Sequence, residues 1–61
     1  MTKAQATEIA RAAKAREDFK RDADTAVKSV CFDAGVKAPV IVDGRGNTVA
    51  HLAREILRAN A

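Results

Sequence analysis

Two side chains carry the chemistry of a nucleophile and a base: Cys31 and His51, each the only one of its type. A catalytic thiol needs a base within hydrogen-bond reach and a third group to orient that base. Cys31 instead falls on one helical stripe with Val27 and Val30, where a buried structural thiol is the ordinary outcome. A single histidine and a single cysteine do not make a zinc ligand set. The 8 acidic residues are spread along a solvated surface, with no pair spaced for proton transfer. Gly44-Arg45-Gly46 follows a β-branched run but lacks the Gly-Lys-Ser/Thr end of a phosphate-cradling loop. A tight turn accounts for both glycines. The sequence therefore reads as a non-enzyme with no cofactor and no metal.

Basic residues are the other chemistry on offer. There are 11 of them against 8 acidic, a net charge of +3, which permits nucleic-acid binding without pointing to it. Lys14, Arg21 and Lys28 recur every seven residues, with Lys3 near the same line. The favourable i,i+4 pairs Glu17–Arg21 and Asp24–Lys28 would neutralise much of that stripe. A second patch combines Arg45 with His51, Arg54 and Arg58, the last three on one polar helix face. It could meet phosphates, but neither phenylalanine lies near it to stack on bases. These four residues are the candidate site for DNA or RNA.

The elements that must position these groups follow from the hydrophobic pattern. Residues 2–34 read as one helix: Thr2 and Gln5 form a capping-box pattern, Gly and Pro are absent from Lys3 to Ala34, and Gly35 supplies the stop. Ile9, Ala12, Ala13, Phe19, Ala26, Val27, Val30 and Cys31 recur on its apolar side. A β element is expected over about 38–50. Pro39 opens the run Val40-Ile41-Val42, and Asp43-Gly44-Arg45-Gly46 suits a type I turn with a glycine bulge. Asn47 to Ala50 would be the return strand. In a rival reading a single strand leads directly into a helix capped by Asn47, because Val49, Leu52, Ala53, Ile56 and Leu57 fit one helix face. Both readings end in a helix over about 50–60, and both give an α+β fold. The expected core is Phe19, Val27, Val30, Ile41, Leu52, Ile56 and Leu57.

Size turns this into a functional expectation. The 61 residues make one domain, with a marginal core. A continuous first helix would be about 48 Å long at ~1.5 Å per residue, whereas a globule of this chain length is under about 30 Å across. Its N-terminal half would then have nothing of its own to pack on. It would fray, break near Arg16–Asp18, or be covered by another chain. The third outcome makes Ile9, Ala12, Ala13 and Arg16 a candidate protein-docking stripe, with Arg16 as a charge that selects register or simply snorkels away. The expected function is a small regulatory or inhibitory protein that binds a protein partner, with a DNA- or RNA-binding regulator as the alternative. A homodimer is expected, since Cys31 has no partner cysteine to staple the fold. No run approaches the ~18 apolar residues of a membrane span. A single unpaired thiol suits a reducing, cytoplasmic setting.

Overall fold

The computed structural model describes residues 1–40 and 48–61. The described chain forms three α-helices, α1 (Lys3–Lys14), α2 (Ala23–Ala34) and α3 (Val49–Ala59), with a 3-10 turn at Glu17–Phe19 between α1 and α2. The Cα envelope measures 27 × 21 × 17 Å.

The expected helix over 2–34 is therefore two helices. α1 starts as anticipated, with the Gln5 N–H donating to Thr2 Oγ1 at 3.1 Å. It ends at Lys14, and Arg16 is extended, with φ −74° and ψ 147°. The backbone groups freed by the break are taken up locally. Phe19 N–H donates to Arg16 O at 3.2 Å, and Arg21 and Asp22 N–H donate to Asp18 O at 3.1 and 2.8 Å. α2 then receives a cap of its own, with Asp22 Oδ1 accepting from Thr25 N–H and Oδ2 accepting from the Thr25 hydroxyl at 2.6 Å. Because the turn re-pairs its polar groups, breaking the rod costs little. Folding back covers Ile9, worth about 1.5–3 kcal/mol for one such side chain. Burial decides the outcome.

The core is one cluster. α1 contributes Ala6, Ile9, Ala10 and Ala13, α2 contributes Ala26, Val27 and Cys31, and α3 contributes Leu52, Ala53 and Ile56. Phe19, Val30 and Leu57 pack partly buried against it. The alanines of α1 let α3 approach closely, so Leu52 and Ile56 become fully buried.

The α+β expectation is overturned: there is no strand among the described residues. Val40 has no regular structure, while Ile41, Val42 and the expected turn lie outside the described residues. Val49 and Ala50, expected in a return strand, are the first residues of α3. The helical face of the rival reading prevails here because its 3.6-residue period buries Leu52 and Ile56 in the core where α3 packs on α1. Thr48, one residue later than expected, is the cap: its Oγ1 accepts from the His51 N–H at 3.1 Å.

α2 ends at Gly35, in the left-handed region at φ 71°. Its N–H donates to Phe32 O, and Val36 N–H donates to Cys31 O at 3.0 Å, the paired bonds of a Schellman stop. The following segment is tied to the end of α3 by Asn60. The Lys37 N–H donates to Asn60 Oδ1 at 3.1 Å, and Asn60 Nδ2 donates to Lys37 O at 2.7 Å and to Ile56 O at 3.0 Å.

Candidate docking groove between α1 and α3

Packing α1 against α3 leaves an open groove of about 420 Å³ along one side of the pair. Lys3, Thr7 and Arg11 line it from α1, at i, i+4 and i+8 on one helix edge. The floor and opposite bank come from α3: Val49, Ala53 and Leu57 as the apolar floor, with Ala50 and Arg54 beside them. Val49, Ala53 and Leu57 have the same i, i+4, i+8 spacing. They line the groove because Leu52 and Ile56 turn the rest of that face into the core.

The groove is positive among the described residues. Lys3 and Arg11 stand on one bank and Arg54 on the other, and no described carboxylate lines it. None of these three cations is in an ion pair among the described residues. The Thr7 hydroxyl is already engaged, donating to Lys3 O at 2.9 Å. A second depression of about 570 Å³ lies at the end of α1, among Lys14, Ala15, Arg16, Glu17, Phe19 and Lys20. There a carboxylate stands among the cations.

The proposed N-terminal stripe is split by the fold. Ile9, 5% exposed, and Ala13 belong to the core of the single chain. Ala12 and Arg16 are exposed. Arg16 is held by Asp18, with Nε 3.1 Å from Oδ1.

The nucleic-acid set is likewise divided. Arg54 lines the groove. His51 is half-buried on α3, and Arg58 is paired with Glu55. Arg45 lies outside the described residues. The Lys14–Arg21–Lys28 stripe does not exist as a line, since its members fall at the end of α1, after the 3-10 turn, and on α2. Of its expected neutralising pairs, Lys28 Nζ meets Asp24 Oδ2 at 2.9 Å, while Glu17 and Arg21 stand outside any α-helix.

Lys3, Thr7 and Arg11 line the groove but are not in either candidate site read from the sequence. Their four-residue spacing is visible in the sequence, but on a 48 Å rod Lys3 aligns instead with Lys14 and its followers. The groove becomes visible only once α3 is known to pack beside α1. Compared with protein-family models, with curated proteins and with solved structures, the chain matches none.

Proposed function

We propose that this chain is a small non-enzymatic regulatory or inhibitory protein that binds a protein partner in the α1–α3 groove. The observation that carries this reading is an apolar floor, Val49, Ala53 and Leu57, set between Lys3 and Arg11 on one side and Arg54 on the other. Apolar contact at the centre with charge at the rim is the anatomy of a protein interface. The non-enzymatic part is supported by Cys31, whose burial raises its pKa and keeps it a neutral thiol. No described helix is long and apolar enough to cross a membrane, and we place the protein in the cytoplasm, where an unpaired thiol stays reduced.

The test is affinity capture from nuclease-treated extract of the native host, using the wild-type chain beside Ala50→Glu. Ala50 is exposed in the first turn of α3 and lines the groove, where a carboxylate suits the helix but opposes the cations' role. A protein retained by the wild type and lost by Ala50→Glu is the expected result. A protein retained equally by both removes the groove from this reading.

A second reading, a nucleic-acid regulator, is favoured by the same three cations. It expects retention to vanish with nuclease and affinity to fall steeply with salt. The homodimer is a subordinate part of the proposal. It rests on Phe32 and Val40, 86% and 80% exposed. Light scattering should give a mass near twice 6.5 kDa; a monomeric mass at high concentration removes it.

A further inference from the structure

Resting on the protein-binding reading above, we infer that the occupant of the groove is an acidic amphipathic helix of the partner. The banks are two helices, whose backbone groups are consumed by their own ladders, so no sheet edge is open to an added strand. What they present is a trough edged by Lys3, Thr7 and Arg11 on α1 and floored by Val49, Ala53 and Leu57 on α3. Each row, eight residue steps from first to last, is about 12 Å long at ~1.5 Å per residue. That is the length over which a third helix of two to three turns lays one apolar stripe. Ala50 and Ala53 are small, which leaves room for larger side chains on the occupant.

Charge sets the rest of the occupant's chemistry. Cations stand on both banks, and among the described residues the lining carries no carboxylate. A helix seated on the floor therefore points both flanks of its apolar stripe at positive groups. Asp or Glu on those flanks would gain from each, while Lys or Arg would be repelled. An acidic helix also steers toward a chain of net charge +3.

The test is selection from a displayed library of helical 18-residue peptides with a fixed leucine stripe and randomised flanks. Fluorescence anisotropy then follows with three designed peptides, flanked by Glu, Gln or Lys, and a 20-base-pair DNA duplex. Enrichment of Asp and Glu on the flanks is expected. The Glu peptide should bind about tenfold or more tightly than the Gln peptide, with the gap closing as salt rises. Arg54→Glu should erase that preference. Arg21→Glu, which reverses a cation remote from the groove lining, should leave it intact, and circular dichroism should show both variants folded. Gln- or Lys-flanked helices binding as well as the Glu peptide would overturn this inference and leave protein docking standing. Duplex binding that exceeds peptide binding, or no enrichment at all, would overturn both.

Discussion

Cys31 has no measurable exposure, and burial pushes its thiol above the ordinary value because a thiolate there would lose its hydration. Thiol reagents should therefore modify it at the rate of chain opening. We expect negligible alkylation of the native chain at neutral pH and rapid alkylation in denaturant, followed by mass spectrometry. Fast native labelling would show that the centre of the cluster is open. Asp22 is a carboxylate whose pKa is lowered in the fold. The Thr25 hydroxyl, then the Thr25 backbone N–H, donate to its carboxylate and hold it below the usual 3.8. The folded chain thus binds this proton less readily than the unfolded one. Its contribution is complete above the unfolded value and is lost as pH falls through the lower folded value. Melting curves should show stability falling more steeply below about pH 4 in the wild type than in Asp22→Asn, since Asn caps without a charge. Gly35 answers to backbone geometry alone. A methyl there meets nothing within 4 Å, yet φ is 71°, so Gly35→Ala should cost about 1 kcal/mol.

At the scale of elements, the end of α3 and the segment after α2 are held together by one side chain. Asn60 both accepts from and donates to the Lys37 backbone, and it donates again to Ile56 O. Removing it in Asn60→Ala should cost about 1 kcal/mol and speed hydrogen exchange at the Lys37 amide more than at Val27. Equal protection of Lys37 in both forms would mean that the bridge is not held in solution. Nothing in sequence spacing announces such a bridge, because its two ends lie far apart along the chain. Helix ends were more legible: Thr2 and Gly35 act as their residue types imply. The break at 15–22 was open to a length argument, which placed it near Arg16–Asp18 as one of three outcomes, but no residue type announced it. Its Lys, Arg and Glu are good helix formers, and the cap Asp22 resembles any surface carboxylate until Thr25 is seen bonded to it. The β-branched run Val40-Ile41-Val42 misled in another way. It lent weight to a return strand through residues 49 and 50, where a helical face was equally visible and where tertiary packing chose the helix. The groove was half legible. Arg54 was singled out from its charge, whereas Lys3 and Arg11 gain meaning only from the neighbouring helix.

For the whole molecule, the decisive quantity is whether the N-terminal helix belongs to the chain's own core. The accessible surface is 4142 Å², against about 3,800 Å² from the scaling for a folded monomer of this mass. One chain thus buries nearly what a self-sufficient fold of its size should. Ile9 makes this testable, since it would lie bare on an extended rod and is enclosed in the folded-back chain. Truncating a buried isoleucine to alanine costs about 2–5 kcal/mol, a large share of the roughly 3–9 kcal/mol expected for a domain of this length. Ile9→Ala should therefore lower the urea midpoint about as much as Ile56→Ala, whose site is in the core by any reading. The loss caused by Ile9→Ala should also be unchanged when protein concentration is varied tenfold. If Ile9→Ala has almost no effect while Ile56→Ala is severe, α1 is not packed on α3, and the groove between them is lost with it. If the loss at Ile9 appears only at high concentration, another chain supplies the cover, because only a bimolecular contact scales that way.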